Sequence, residues 1–172
     1  MPPEDVKCKQ QLKSIAKKII EDFDKNNKNK DFEFLDYMKI GLWVKKNIKY
    51  DYNYIGRTEL TAMDIYNKRV GVCHHFTRLS NALLYSIGYK VIYASGYVCQ
   101  NNKIFQTDTG HAWSLIQLDN NKWYPFDSTW GILTGKLPVG HIFGTFFGKT
   151  SKLIGYDSVQ FDEQEMQGKF IE

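Results

Sequence analysis

Hydrophobic residues recur every three or four positions through the first part of the chain, with charged residues between them. This spacing predicts an amphipathic helix over about residues 5–24 and a second helix over about 31–48, joined by the polar loop 25–30. The inward positions are Leu12, Ile15, Ala16, Ile19, Ile20 and Phe23 in the first helix and Leu35, Met38 and Leu42 in the second.

A polar, tyrosine-rich stretch over residues 50–60, broken at Gly56, separates these helices from the next ones. Thr61 is a suitable N-cap for a short helix ending near residue 67. Apolar residues return to helical spacing from Cys73 to Ile87, and Gly88 provides a C-terminal cap. The pattern therefore predicts that Cys73 lies on the first turn of a helix.

The hydrophobic period changes to that of strands after this helix. Residues 90–99, 111–118 and 122–127 are rich in Val, Ile, Tyr and Trp and have short polar connections. The glycine-rich stretch 131–148 is predicted as loop with at most one strand, and the acidic residues 161–172 as a tail or short helix. Helices followed by strands indicate an α+β fold.

Composition restricts the class of protein. The chain has 172 residues, of which 42% are hydrophobic and 15% aromatic, as expected for one folded domain rather than a disordered chain. No apolar run approaches the roughly 18 residues of a membrane span, and the first residues lack the order of a secretory signal. With an odd number of cysteines, three, this favours a cytoplasmic location. The oligomeric state stays open.

The net charge of +4 does not by itself indicate a nucleic-acid partner. The lysines concentrate in the first fifty positions, as on the solvated face of a helix, without a recognisable nucleic-acid-binding module. No Cys-x-x-Cys pair suggests a zinc site. Cys73, His74 and His75 are adjacent on a helix and point about 100° apart, so they are poorly placed to share one ion. We predict neither a metal nor a cofactor.

Three separated residues carry groups suited to thiol-based acyl chemistry: Cys73, His111 and Asp127. A thiolate is a strong nucleophile, an imidazole can take the thiol proton near neutral pH, and a carboxylate can hold that imidazole in the required tautomer. A helix N-terminus stabilises a thiolate and offers N–H groups to an oxyanion. Alone, Cys73 would more often be a small buried core residue, so the inference depends on the combination.

The strands predicted around residues 111–118 and 122–127 form a hairpin if Asp119, Asn120 and Asn121 are the loop, with Asn121 left-handed. Trp113 is then opposite Asp127, and His111 is its diagonal neighbour on the same face. A two-residue loop would put the two groups on opposite faces.

His74, His75 and His141 are competing imidazoles. The side chains of His74 and His75 point away from Cys73 on a helix, which favours structural or substrate-facing roles. His141 lies in the predicted loop region and has no following carboxylate before Asp157. His111 is therefore the preferred base.

These segments resemble the transglutaminase-like domain over about residues 36–131. The matching segments are residues 48–51, 69–73, 88–96, 111–113 and 123–130. The resemblance implies a papain-like fold, in which the nucleophile helix packs against an antiparallel sheet that carries the histidine and aspartate. The sequence lacks the paired cysteines of the peptide N-glycanase zinc module, and the β-sandwich domains and acidic calcium loops of animal transglutaminases. The members that remain as relatives are small microbial and cytoskeleton-associated ones.

The resemblance predicts one transglutaminase-like domain over 1–172, with a helical extension (1–34), a core holding the triad (35–131) and glycine-rich loops with a tail (132–172). The leading hypothesis is a cysteine peptidase or amidohydrolase acting on protein or peptide amides. The alternatives are a protein-glutamine γ-glutamyltransferase, which crosslinks or deamidates, and a catalytically silent binding module. Candidate substrate contacts are Tyr50, His74, Trp113 and Trp130.

Overall fold

A computed structural model describes residues 1–28, 34–100, 103–104, 110–119, 121, 123–131 and 140–143. The helices are α1 (Pro3–Lys7), α2 (Lys9–Asn26), α3 (Asp36–Asn47), α4 (Ala62–Lys68) and α5 (Cys73–Ser86), with a 3₁₀ turn at Tyr52–Tyr54. The strands are β1 (Lys49–Tyr50), β2 (Val70–Gly71), β3 (Lys90–Gln100), β4 (Lys103–Ile104), β5 (His111–Gln117), β6 (Trp123–Phe126) and β7 (Gly140–Phe143). The predicted α+β order is confirmed, and the predicted tail at 161–172 lies outside the described residues.

Helix α5 is the centre of the fold. It packs against α2, α3 and α4 on one side and against β3 and β5 on the other. Its long apolar side chains, such as Leu79, Leu83 and Leu84, are fully buried. A helix that is enclosed on both sides has little freedom to shift, so its first residue, Cys73, is held firmly relative to the sheet.

The helical segments differ from the predicted ones at their ends. The single helix predicted over 5–24 is two helices, α1 and α2, that meet at Cys8. The predicted start of the second helix at 31 is also wrong in part, since Phe34 and Leu35 are not helical and α3 begins at Asp36. The predicted capping by Thr61 is confirmed: its hydroxyl accepts from the backbone N–H of Asp64.

A buried ion pair explains the separate helix α1. The Asp5 carboxylate is 1% exposed, accepts from Arg78 Nε of α5 at 3.0 Å, and accepts from the backbone N–H of Ala62 at 2.8 Å. It therefore joins α1 to α5 and also caps the start of α4. A buried carboxylate is stable only with such partners.

The sheet is antiparallel, with the strand order β4-β3-β5-β6, and β7 also pairs with β3. A separate, short parallel pair joins β1 to β2, with Tyr50 opposite Gly71. Within the part of the chain that the structure describes, no helix is long and apolar enough to cross a membrane.

The β5–β6 hairpin has the predicted register. Asn121 is left-handed with φ of 59°, and Ser114 pairs with Phe126. Continuing this register by one residue places Trp113 opposite Asp127, as the three-residue loop requires. His111 is then two positions further on, on the same face as Asp127.

Candidate active site

A single residue, Val72, separates strand β2 from helix α5. Val72 is its extended N-cap residue, and the carbonyl oxygen of Val72 accepts from the backbone N–H groups of His75 and Phe76 at 2.8 and 3.2 Å. Cys73 is therefore the first helical residue. Its backbone N–H precedes the first intrahelical bonds, so it is free of the helical hydrogen-bond ladder.

His75 acts as a cap for this helix, a role the sequence analysis left open. Its Nδ1 accepts the backbone N–H of Val72 at 3.0 Å, and its Nε2 lies 2.8 Å from the carbonyl oxygen of Arg57. A carbonyl only accepts, so Nε2 carries the proton and the ring is neutral. Burial lowers the pKa of His75, which keeps this arrangement at neutral pH.

Gly71 is required by the position of His75. A Cβ atom added at Gly71 would lie 2.5 Å from Cβ of His75 and 2.7 Å from its Cγ. Such distances are shorter than real Cβ contacts, so the absence of a side chain lets the imidazole lie against β2. The Gly-x-Cys-x-His spacing is therefore one structural unit that sets the start of α5.

His111 and Asp127 form a buried pair. Nε2 of His111 lies 2.7 Å from Oδ2 of Asp127, and the side chains are 2% and 0% exposed. The other oxygen, Oδ1, accepts the backbone N–H groups of Thr129 at 2.9 Å and Trp130 at 3.3 Å. The turn after β6 thus fixes the carboxylate, which in turn fixes the imidazole.

Cys73 completes the arrangement. Because Asp127 occupies Nε2, the ring nitrogen left to meet the Cys73 thiol is Nδ1, and a side-chain hydrogen bond joins His111 to Cys73. Burial alone would lower the pKa of His111. The hydrogen bonds to Asp127 and Cys73, together with their negative charges, outweigh burial and raise that pKa to about 9. The imidazole therefore holds a proton at neutral pH.

Two indole rings enclose the His111 imidazole. Trp130 stacks on it with centroids 4.4 Å apart and planes at 10°, and Trp113 lies at 6.0 Å and 19°. A cation stacked on an aromatic face is stabilised, so both rings favour the protonated imidazole. Trp113 is fully buried, which gives it a packing role behind His111, whereas Trp130 is half-buried and lies on the accessible side.

A buried hydroxyl pair connects the two halves of the site. Ser80 of α5 donates to Ser128 at 2.8 Å, and Ser128 donates to the carbonyl oxygen of Phe76 at 3.4 Å. Ser128 directly follows Asp127, so α5 and the turn that holds the Asp127 carboxylate are joined one residue from the site. Sequence analysis did not assign this role to either serine.

The other candidate residues from the sequence are Tyr50, His74 and His141. Tyr50 lies beside Cys73 and interacts with both its backbone and its thiol. The His74 ring lies 3.7 Å from that of His75, and burial, followed by the nearby His75, lowers the pKa of His74 to about 4. His141 pairs with Val98 between β7 and β3, and the structure does not describe its side chain.

Among the described residues, no cluster of His, Cys, Asp and Glu could hold a metal ion.

The sequence model of the transglutaminase-like superfamily matches residues 13–128, more than half of the chain. The chain belongs to this superfamily. The match contains Cys73, His111 and Asp127 and thus includes the whole hydrogen-bonded group described above. The resemblance seen in the sequence is therefore confirmed at the level of the family.

Solved structures similar to this transglutaminase-like chain share its fold. One is that of a "putative cysteine protease" from Cytophaga hutchinsonii, with a TM-score of 0.54, 23% identity and coverage of 70% of this chain and 37% of that chain. Another is a TGase, with a TM-score of 0.50 and 17% identity, covering 93% of this chain and 41% of that one. At these identities the likeness establishes the papain-like fold alone.

A curated relative matches over a shorter segment. Proansamycin X synthase from Amycolatopsis mediterranei (strain S699) is 36% identical over 53 residues, which make up 31% of this chain and 20% of that protein. The transglutaminase-like chain therefore spans less than half the length of each of these three proteins.

Proposed function

We propose that this chain carries out thiol-dependent acyl chemistry on protein or peptide amides, as a cysteine peptidase or amidohydrolase. Cys73 is the nucleophile, His111 the proton carrier, and Asp127 the carboxylate that orients His111. The observation that carries the proposal is the hydrogen-bonded sequence from Cys73 through His111 to Asp127, with 2.7 Å between Nε2 and Oδ2. Its three residue types have the roles required of nucleophile, base and orienting group.

The chemistry follows from the two nitrogens of His111. The proton that Nδ1 holds is the one given up by the Cys73 thiol. Sγ attacks the amide carbonyl carbon, and the carbonyl electron pair moves to oxygen. When the tetrahedral intermediate collapses, the C–N bond breaks and the amine leaves with the proton from Nδ1. Water, activated by the same nitrogen, then hydrolyses the thioester and releases the acid. Asp127 supports the imidazolium at Nε2 throughout.

The position of the pair supports this proposal over a silent binding module. His111 and Asp127 are buried, and removing a charged pair from water costs free energy that apolar side chains of similar size would not cost. A pair retained at this cost is more readily explained by a catalytic role than by packing. The raised pKa of His111 also supplies the imidazolium that an amine leaving group needs at neutral pH.

Transamidation is a second candidate because it uses the same thioester and differs only in the group that attacks it. The half-buried Trp130 ring over His111 favours it, since an aromatic wall on the accessible side reduces the access of water to the thioester. In this reaction a lysine amine, rather than water, accepts the acyl group.

The test is the mass of the chain after incubation with glutamine-containing peptides and proteins, with and without a labelled primary amine. An acyl adduct on Cys73, followed by free acid and ammonia or a cleaved peptide, would support hydrolysis. Incorporation of the amine would support transfer. Cys73→Ala and His111→Ala should abolish every product, and Cys8→Ala, which changes a thiol at the α1–α2 junction, should leave product formation intact. Activity in a folded Cys73→Ala variant would contradict the proposal.

A further inference from the structure

The proposed nucleophile and base lie on separate elements, so their distance must be fixed by the packing of these elements. Cys73 packs against Tyr93 of β3 and Ala112 of β5, which places the thiol beside His111. A reacting group displaced by about 1 Å can lose about 10²-fold in rate. Apolar packing keeps α5 against the sheet, but it is non-directional and sets the position along the helix axis less sharply than a hydrogen bond does.

The end of β6 and the turn after it direct their side chains alternately toward α5 and toward the base. Successive residues of an extended segment face opposite sides of a sheet. Phe126 lies in the core cluster that is shared with α5, whereas Asp127 bonds to His111. Ser128 again faces α5, where its hydroxyl group meets that of Ser80. Adjacent residues of one turn therefore hold the base and contact the helix that carries the thiol.

The two hydroxyl groups form a buried chain of hydrogen bonds with one direction. Ser80 Oγ donates to Ser128 Oγ at 2.8 Å, and Ser128 Oγ donates to the carbonyl oxygen of Phe76 at 3.4 Å. Ser80 and Ser128 are 0% and 3% exposed. Each hydroxyl group has a single proton, and both protons are used. Because water has little access to compete for these bonds, they hold the turn at one place on α5.

This place lies on the same face of α5 as the thiol. Ser80 follows Cys73 by seven residues, close to two helical turns, so it lies about 10 Å further along the same face. The hairpin and its turn thus meet this face twice, through His111 at the thiol and through Ser128 at Ser80. The second, directional contact limits sliding and rotation of α5 relative to the imidazole.

We propose that Ser80 and Ser128 are positioning residues that set the distance between the Cys73 thiol and the His111 imidazole. This rests on the proposed function. Each serine acts through the element that carries it, Ser80 through α5 and Ser128 through the turn that holds Asp127. Loss of their bond should lengthen the thiol–imidazole distance. It should leave the bond between His111 and Asp127 in place, because that bond is internal to the hairpin and its turn.

Ser128→Ala removes the bond and should still fold. The freed hydroxyl group of Ser80 can donate to the carbonyl oxygen of Phe76, four residues earlier in the same helix, as Thr77 does to that of Cys73. Acetylation of Cys73 by 4-nitrophenyl acetate, followed by mass, should slow by about 10- to 100-fold. Ser80→Ala should have a smaller effect, because Ser128 keeps its bond to Phe76. The double variant should be no slower than Ser128→Ala, since both changes remove the same bond.

A second measurement reports the contact between imidazole and thiol directly. The pKa of His111 is followed by NMR of the ¹⁵N-labelled imidazole. Burial lowers this pKa, and the bonds to Asp127 and then Cys73, with their charges, raise it to about 9. In Ser128→Ala the contribution of Cys73 should weaken, so the pKa of His111 should fall below that of the wild type. A loss of stability without a change in the contact would not move this pKa.

Ser86→Ala is the matched control. Ser86 is 4% exposed, is the last residue of the same helix and donates to the carbonyl oxygen of Leu83 at 2.6 Å. Its variant should lower the midpoint of urea unfolding about as much as Ser128→Ala does, and should change neither acetylation nor the pKa of His111. An unslowed Ser128→Ala, an equal slowing in Ser86→Ala, or an unchanged pKa of His111 in Ser128→Ala would each overturn the positioning role alone. Failure of the wild type to be acetylated at Cys73 would overturn the proposed function as well.

Discussion

Asp127→Asn tests the triad most sharply because it removes a charge and barely changes the shape. The structure determines how the new amide must lie. Oδ1 of Asp127 accepts two backbone N–H groups, from Thr129 and Trp130, so only the amide oxygen can occupy that position. The NH₂ group must then point at Nε2 of His111, which becomes an acceptor. The proton of the neutral ring moves to Nδ1, the nitrogen that should receive the thiol proton.

The expected magnitude follows from this orientation. A wrong tautomer in a serine triad costs about 10⁴ in rate, and general acid–base assistance is worth about 10²- to 10⁴-fold, so we expect turnover to fall about 10²- to 10⁴-fold. Stability should fall as well. The pKa of the 2% exposed His111 rises from 6.5 to about 9, which corresponds to about 3 kcal/mol for its interactions with Asp127 and Cys73 together, and the variant loses the part that comes from the Asp127 charge. Because the pKa is raised, this contribution is complete below pH 6.5 and is lost as the pH rises through 9.

The assay combines acetylation of Cys73 by 4-nitrophenyl acetate with thermal unfolding at pH 6 and pH 9.5. The variant should lose more stability, relative to the wild type, at pH 6. Asp119→Asn, an exposed position at the end of the same hairpin, is the matched control and should leave both measurements unchanged. A folded Asp127→Asn protein with near-native acetylation would refute the reasoning and reduce Asp127 to a turn residue.

Other parts of the structure predict measurable effects. A pH–rate profile should show turnover falling above about pH 9, where His111 loses the proton that the leaving amine needs. Gly71→Ala should destabilise the fold by about 1–3 kcal/mol in urea unfolding, because its Cβ would meet His75. Asp5→Ala should cost about 3–5 kcal/mol by removing the buried carboxylate that accepts from both Arg78 and the backbone N–H of Ala62, and an unchanged urea midpoint would contradict that.

The parts of the fold that follow from local periodicity could be predicted from sequence. The β5–β6 hairpin is the clearest case, since a three-residue loop with a left-handed Asn121 fixes which side chains share a face. This alternation of faces predicts that His111 lies near Asp127, and the prediction needs no other element of the fold. The position of Cys73 on the first turn of α5 followed equally from the apolar spacing after it.

Features that depend on distant partners could not be predicted in this way. Helix α1 is set apart by the bonds of Asp5 to Ala62 and Arg78, which lie 57 and 73 positions along the chain. The capping role of His75 had a local signal, an imidazole three residues after the N-cap residue. It was missed because Glu or Gln normally reaches back from that position.

The candidate site combines two local units of the chain, and its geometry depends on how these units pack against each other. The unit from Gly71 to His75 determines the direction of the Cys73 thiol, and the β5–β6 hairpin with its turn determines the orientation of the His111 imidazole. Neither unit determines the distance between the thiol and the imidazole. That distance depends on α5 packing against the sheet, where Ser128 bonds to Ser80. On the other side of the turn, Lys45 reaches the carbonyl oxygen of Thr129 at 3.5 Å. The distance between thiol and imidazole is therefore a tertiary property of the chain, and substitutions at Ser80 or Lys45 should change that distance without changing the chemical groups of the site.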